Sequence, residues 1–287
     1  MTKRTDHHTL WLLAAVAAPA AHFAGCGWLT AALTVLAVLP LALLPKRWDN
    51  LPKSLAVLQL ISIGLTLGTL LGGSAVYWPS DNALAVPVTL LILSVLTTKA
   101  AAPMAGGLLA LCMGLLALPV LFAGAAKVEW SWLHPEVAGW PSGLALALLL
   151  PALPLRKGGN ATAGIGFIAV TAAILIQGTL ALPVAEGMKD ALYQSTRTLG
   201  HMEITTAAAM TLGWYAMGTW MLQSGYEIAR RGGVGDKIAT VLLVGTSAGT
   251  LLFSMQPCGQ KLVVLNTVLW VLSPFLHEII NREKSEK

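Results

Sequence analysis

Charged, cysteine and aromatic residues are all scarce in this chain of 287 residues. Charged residues make up 11% of the sequence and hydrophobic residues 56%, and the mean hydropathy is +0.72. This composition excludes a soluble globular protein, because too little polar surface is available to cover one, and it predicts an integral membrane protein. The three cysteines, Cys26, Cys112 and Cys258, lack a CxxC spacing, which argues against a metal site or a disulfide framework.

Catalytic motifs are missing as well. The sequence contains no phosphate loop of the GxxxxGK type, no HExxH, no GxSxG and no pair of intramembrane aspartates. We therefore expect neither an enzyme nor a cofactor or metal requirement. No predicted span carries an acidic residue or a lysine near its centre, which argues against a strongly ion-coupled pump more than against a receptor.

Apolar runs of 16 to 27 residues, bounded by charges or by Pro, Gly, Asn and Asp, fill the chain from end to end. They predict an all-α polytopic membrane protein with about ten transmembrane helices in a single domain, residues 1–287. The predicted spans are 10–25, 28–44, 52–74, 83–101, 104–125, 139–154, 162–183, 203–229, 237–254 and 261–278.

Basic residues test this count of spans. With the N-terminus inside, 14 of the 18 Lys and Arg residues fall in inner segments, and the outer ones are Lys127, Lys189, Arg197 and Lys261. Such a bias predicts that both termini are cytoplasmic. Membrane orientation then explains the net charge of +5, and no nucleic-acid partner is expected.

Two predicted spans are short and interrupted. The first carries Pro19, His22 and Gly25, and the sixth is the Gly- and Pro-broken segment 139–154. Ten spans divide into two repeats, 10–125 and 139–278, which would enter the membrane in opposite directions because five is odd. Each broken span is then the first helix of its repeat, an arrangement typical of transporters that bind a solute at mid-membrane. The sequence FAGC, residues 23–26, loosely matches a lipoprotein signal ending, but we interpret it as part of the first span.

Polar groups at membrane depth are the candidate ligand residues. A buried histidine in a broken span is either functional or a neutral imidazole that is hydrogen-bonded to a free backbone carbonyl. Glycines at the breaks either present backbone groups to a carboxylate or ammonium group of a ligand, or form ordinary helix caps. Side chains on the third and eighth spans either line a pocket or bond a neighbouring helix. The predicted ligand-binding residues are His22, Gly25, Gly27, Gln59, Ser62, Ser142, Gly143 and Tyr215, and Trp214 and Thr219 are further candidates for a pocket wall.

Glu203 stands at the predicted outer mouth of the eighth span, near Arg197 and His201. An ion pair between Glu203 and Arg197 would form a gate, whereas an exposed interfacial carboxylate is the alternative.

Small residues form two helical stripes. Gly64, Gly68 and Gly72 recur every four residues on the third span, and Gly245 and Gly249 do so on the ninth. We interpret both stripes as surfaces for close helix contact rather than as the wall of a substrate groove.

The stretch Asp190–Arg231, DALYQSTRTLGHMEITTAAAMTLGWYAMGTWMLQSGYEIARR, resembles the spore germination permeases, the B subunits of the GerA-type nutrient receptors in the amino acid–polyamine–organocation transporter superfamily. Pro87 and the segment WSWLHP, residues 130–135, support the resemblance. The chain departs from the family pattern at residues 98–107, which read TKAAAPMAGG, and in the sixth span, which lacks an acidic residue.

This resemblance implies a LeuT-like fold with a 5+5 inverted repeat and broken first and sixth helices. It also implies a small nutrient ligand such as an amino acid, A-type and C-type receptor subunits as partners, and location in a cytoplasmic membrane or a spore inner membrane. Two alternatives remain open: a proton- or ion-coupled secondary transporter of amino acids or related solutes, and a ligand-free membrane scaffold.

Overall fold

The structure of the protein is a computed structural model, which describes residues 52–76, 78, 82–122 and 203–253 together with Leu29 and Leu33. Every regular element in this part of the chain is helical. The elements are α1 (Lys53–Gly72), a 3-10 helix (Gly73–Val76), α2 (Ala85–Ala101), a 3-10 turn (Ala102–Met104), α3 (Ala105–Phe122), α4 (Glu203–Arg231) and α5 (Asp236–Phe253).

Five of the ten predicted spans fall on these helices, and the predicted and observed ends agree within three residues. The 3-10 turn Ala102–Met104, which contains Pro103, joins α2 directly to α3. Three helical segments are long and apolar enough to cross a membrane: Lys53–Ala75, Ala85–Cys112 and Asp236–Phe253. The other five predicted spans, apart from Leu29 and Leu33, lie outside the described residues: they are two of the five spans of the first repeat and three of the five spans of the second, and they include both broken helices.

α4 is the central helix of the described bundle, since it packs against each of α1, α2, α3 and α5. Two consecutive turns, residues 216–222, are buried on every side. Within the described part of the chain, α4 is not among the helices apolar enough to cross a membrane, so the predicted eighth span is a helix but lacks the expected apolarity. Its position explains the difference, because a helix surrounded by protein needs no lipid-compatible surface.

Contacts along α1 give the relative directions of three helices. Ala56 lies against Gly232, Leu67 against Gly218, and Gly73 against Trp214, so α1 and α4 are antiparallel. Gly64 of α1 meets Leu243 and Thr246 of α5, and Gly68 meets Ser247 and Thr250, so α1 and α5 are parallel. These directions agree with the order of the predicted spans, in which the third and ninth run one way and the eighth the other.

The glycine stripe on α1 makes the closest helix contact in this part of the structure. A Cβ on Gly64 or Gly68 would collide with the backbone and side chains of α5, and the Ser247 hydroxyl lies 2.9 Å from the backbone oxygen of Gly64. The packing interpretation is therefore confirmed for these two glycines. For Gly245 and Gly249 it stays a prediction, because a Cβ on either would meet no atom of the described residues within 4 Å. α5 instead presents Thr246, Ser247 and Thr250 to α1.

The C-terminus of α4 is closed by a Schellman motif. Gly233 has φ of 65°, its N–H donates to Arg230 O at 3.3 Å, and the Val234 N–H donates to Ala229 O at 2.8 Å. Glycine adopts this left-handed conformation without the steric penalty of a Cβ. The turn ends α4 sharply and places α5 antiparallel beside it, where the hydroxyls of Tyr226 and Thr240 are 3.0 Å apart.

Candidate functional site

The predicted ligand residues divide into two groups. Gln59, Ser62 and Tyr215 are described by the structure, and Glu203 is the first residue of α4, although its side chain is not described. The remaining predicted site and gate residues lie outside the described residues: His22, Gly25, Gly27, Ser142, Gly143 and Arg197.

Gln59 is the most unusual polar residue of α1. Its side chain is 1% exposed, and neither the amide nitrogen nor the amide oxygen has a hydrogen-bond partner among the described residues. The amide carries two N–H donors and an acceptor oxygen. A buried polar group without a partner costs about 1–3 kcal/mol, so a ligand that hydrogen-bonds such a group gains about this much.

Ser62 and Thr66 continue the polar face that begins at Gln59. The three residues are spaced i, i+3 and i+7, which places them on one side of α1, and all three are buried. The Thr66 hydroxyl donates to the backbone oxygen of Ser62 at 2.8 Å. Gly64 lies about 140° around the helix from Gln59 at 100° per residue. The polar face is therefore separate from the surface that α1 packs against α5.

Ser94 is a second buried polar group without a partner, and it lies where α1, α2 and α4 meet. Its side chain is 0% exposed, and its hydroxyl oxygen has no hydrogen-bond partner in the described segments. A Cβ placed on Gly218 of α4 would lie 2.8 Å from Ser94 Oγ and 3.5 Å from Leu67 Cδ1. The lack of a side chain at position 218 thus lets the serine approach the backbone of α4.

Ser94 also differs from its neighbours on α2. The hydroxyls of Thr89, Thr97 and Thr98 each donate to the backbone oxygen four residues earlier. Such hydroxyls make their hydrogen bond within their own helix. Ser94 does not, so its hydroxyl remains available to a group from outside the helix.

Ser224 on α4 is the third such side chain. It is 2% exposed, and its hydroxyl has no partner among the residues that the structure describes. Gln59, Ser94 and Ser224 therefore place polar atoms that lack a described partner on the buried sides of α1, α2 and α4, where most buried side chains are apolar.

Tyr215 connects two helices. Its hydroxyl oxygen lies 2.6 Å from Thr97 Oγ1, and the single Thr97 proton goes to the backbone oxygen of Leu93 at 2.6 Å. The Tyr215 hydroxyl must therefore be the donor in the bond to Thr97. The structure gives Tyr215 the interhelical role that the sequence left as an alternative, with its hydroxyl still able to accept a hydrogen bond.

Trp214 and Thr219 both serve the packing of α4. The Trp214 ring lies against Gly73, with Cζ2 3.5 Å from the position of a Cβ there. The Thr219 hydroxyl donates to the backbone oxygen of Ala216 at 2.9 Å. Trp78 makes a related link at this end of the bundle, where its Nε1–H donates to Thr211 Oγ1 at 2.8 Å.

The sequence did not identify Ser94 or Ser224 as candidate site residues, and it did not identify Thr97 as the hydrogen-bond partner of Tyr215. A signal for Ser94 was present, since it is the one polar residue within the run LLILSVL, residues 90–96. Ser224 lies between Gln223 and Gly225, so it does not stand out as a polar residue within an apolar run.

Among the described residues, no group of three or more His, Cys, Asp and Glu side chains is placed to hold a metal ion. Cys112 is buried as a free thiol.

Comparison of the chain with protein-family models, with curated proteins and with solved structures found no match. The buried polar groups of α1, α2 and α4 are therefore the features on which a functional proposal can rest.

Proposed function

We propose that this chain is a permease-like membrane protein that binds a small, hydrogen-bonding solute, such as an amino acid, beside the polar face of α1. The observation that carries the proposal is the buried Gln59 amide without a partner among the described residues. A polar group at membrane depth is expensive, and such groups commonly mark solute pathways. The three segments that are long and apolar enough to cross a membrane support the membrane setting.

Ser94 and Ser224 extend the argument beyond one residue. Both are buried and unpaired in the described structure, and each lies on a different helix from Gln59. A ligand with donor and acceptor groups that reached one of these side chains would pair its polar atoms, whereas an apolar molecule would leave them unpaired. Amino acids and related nutrients fit this requirement.

The finer form of the proposal is a subunit of a spore nutrient germinant receptor that works with A-type and C-type partners. It rests on the resemblance of the stretch Asp190–Arg231, which contains α4. A receptor of this kind signals only if the ligand binds one conformation better than the other. The alternative is a secondary transporter of similar solutes, for which the same buried polar groups would line the pathway.

Substitution of Gln59 tests the site. Gln59→Leu replaces the unpaired amide with an apolar side chain, so we expect the unliganded protein to become more stable, by about 1–3 kcal/mol. The same variant should lose any ligand-induced rise in melting temperature. The measurement is thermal unfolding of the purified full-length protein against a panel of amino acids, sugars and nucleosides, since a ligand that binds the folded state raises its Tm.

Thr89→Ala is the matched control, because Thr89 is exposed on α2 and its hydroxyl bonds only its own helix. It should leave the ligand response unchanged. A ligand shift that survives Gln59→Leu would place the site elsewhere, and no shift with any compound would favour the ligand-free scaffold. Uptake of the ligand by liposomes containing this chain alone would separate the transporter from the receptor.

A further inference from the structure

Four basic residues lie at the end of the bundle where α1 and α5 begin and α4 ends. We call this group the cationic end: Lys53, Arg230, Arg231 and Lys237. All four are exposed. Arg230 and Arg231 are the last residues of α4, and Lys237 is in the first turn of α5, so the short turn at residues 232–235 holds three of the cations together.

Tertiary packing adds Lys53, which is far away in the sequence. Ala56 of α1 contacts Gly232 in the α4–α5 turn, with its Cα 3.7 Å from where a Cβ on Gly232 would be. Lys53 precedes Ala56 by three positions and therefore lies on the same face, one turn nearer the N-terminus of α1. The first turn of α1 thus stands beside the turn that carries the other cations.

In the described part of the chain, two carboxylates lie near this group, fewer than its four cations. Asp236 lies 3.7 Å from Arg230 Nε, but the two side chains are 64% and 65% exposed, and a pair so open to water is weak. Glu227, one turn before Arg231, is the other described carboxylate near the group and is half-buried. Counting both acids, the described residues of this end carry a net charge of about +2.

Exposed apolar side chains border the cations. Ile238 and Val241, in the first two turns of α5, are 55% and 71% exposed. Lys237 and Val241 are four positions apart and so lie on one face of α5. α1 and α5 are both long and apolar enough to cross a membrane, and both begin here. Their starting ends would lie at the boundary between hydrocarbon and headgroups.

We propose that the cationic end, Lys53, Arg230, Arg231 and Lys237, binds the phosphate of an anionic phospholipid in the leaflet that it faces, with the acyl chain against Ile238 and Val241. Charge complementarity and the adjoining apolar surface together favour a lipid over a soluble anion, because a soluble anion has no acyl chain to contact the apolar side chains. Each net positive charge near an anionic leaflet contributes a factor of about five to binding. A net charge of +2 therefore corresponds to about 25-fold preference for an anionic lipid at this position.

The test compares lipids retained by the full-length protein. The protein is reconstituted in an equal mixture of phosphatidylglycerol and phosphatidylcholine, and native mass spectrometry gives the ratio of the two lipids that stay bound. A neutral variant carries Lys53→Gln, Arg230→Gln, Arg231→Gln and Lys237→Gln. A charge-keeping variant carries Lys53→Arg, Arg230→Lys, Arg231→Lys and Lys237→Arg.

We expect the wild type and the charge-keeping variant to retain phosphatidylglycerol preferentially, and the neutral variant to lose at least tenfold of that preference. The preference should also decrease as salt is added, because salt screens exposed charges. An unchanged ratio in the neutral variant would overturn the proposal. Displacement of the bound lipid by millimolar glycerol 3-phosphate would also overturn it, since the site would then be one for soluble anions.

Discussion

Replacing Gly68 by alanine tests the contact between α1 and α5 directly. The new Cβ would lie 2.5 Å from the backbone oxygen of Ser247 and 2.6 Å from Cβ of Thr250. Van der Waals contact needs about 3.5 Å, so the two helices would have to separate by about 1 Å. The obstructing atoms belong to the backbone and to a β-carbon, and they cannot avoid the clash by a change of rotamer.

The separation would also stretch the interhelical part of a shared hydrogen bond, in which the single Ser247 hydroxyl proton is divided between Gly64 O and, at 2.7 Å, Leu243 O of its own helix. The part that reaches Gly64 O is 2.9 Å long and lies one turn away from Gly68. At about 3.9 Å it no longer counts as a hydrogen bond. Overpacking costs about 1–3 kcal/mol, and an interhelical hydrogen bond in a membrane protein contributes about 0.6–1 kcal/mol. We expect Gly68→Ala to destabilise the protein by about 2–4 kcal/mol from these two effects.

Gly249→Ala is the matched control, because it makes the same chemical change within α5 at a position where a Cβ meets no described atom within 4 Å. Both variants gain the helix propensity of alanine, about 1 kcal/mol, so their difference isolates the contact. In thermal unfolding of the purified protein, we expect the Tm of Gly68→Ala to fall roughly 5–10 °C below that of Gly249→Ala. Equal melting temperatures for the two variants would show that α1 and α5 do not pack as described.

Two further predictions concern the links around α4. Tyr215→Phe removes the hydrogen bond to Thr97 that joins α4 to α2, and we expect a loss of about 0.5–1.5 kcal/mol in unfolding free energy. Tyr226→Phe is the comparison variant. The partner of Tyr226 is Thr240 on α5, which the short turn already holds beside α4, so this variant should lose less unfolding free energy than Tyr215→Phe. An equal or greater loss in Tyr226→Phe would contradict the reasoning. Gly233→Ala forces a Cβ into the left-handed conformation at φ 65° and should cost about 1 kcal/mol. Gly233→Asn, which tolerates that conformation, should cost less by the same unfolding measurement.

Helix positions were well predicted for the five spans that the structure describes. Apolar runs bounded by Pro, Asn and charged residues determined the ends of α1, α2 and α3, because a membrane-length helix satisfies its own backbone and needs no distant partner. The ends of α4 follow from Arg230, Arg231 and the glycines after them. The apolarity of α4 was harder to judge, since its surroundings are protein rather than lipid.

Some of the polar residues of the candidate site were recognised in the sequence. Gln59 and Ser62 stood out in the sequence as polar residues within an apolar span, and the structure places both in the interior. Tyr215 was recognised as an amphipathic residue at membrane depth, but its partner Thr97 is 118 positions away, and sequence gives no measure of that proximity. Ser94 matters because Gly218 faces it, which again depends on how two distant helices meet.

The glycine stripes show the limit of pattern alone. Gly64 and Gly68 have the same four-residue spacing as Gly245 and Gly249, yet among the described helices the first pair makes a close contact and the second pair makes none. Spacing establishes that a face is smooth. It does not establish which neighbour approaches that face.

The sequence by itself determined the membrane class, the helical segments and the polar residues within them, because hydropathy, helix length and helix ends are local properties of the chain. Tertiary structure alone decided that α4 is the centre, that α1 meets α5 through Gly64 and Gly68, and that Lys53 joins the basic residues of the α4–α5 turn. The physical reason is that an apolar helix can turn any of several faces towards its neighbours. Only the simultaneous packing of all the helices selects which small residues touch and which polar groups remain unpaired.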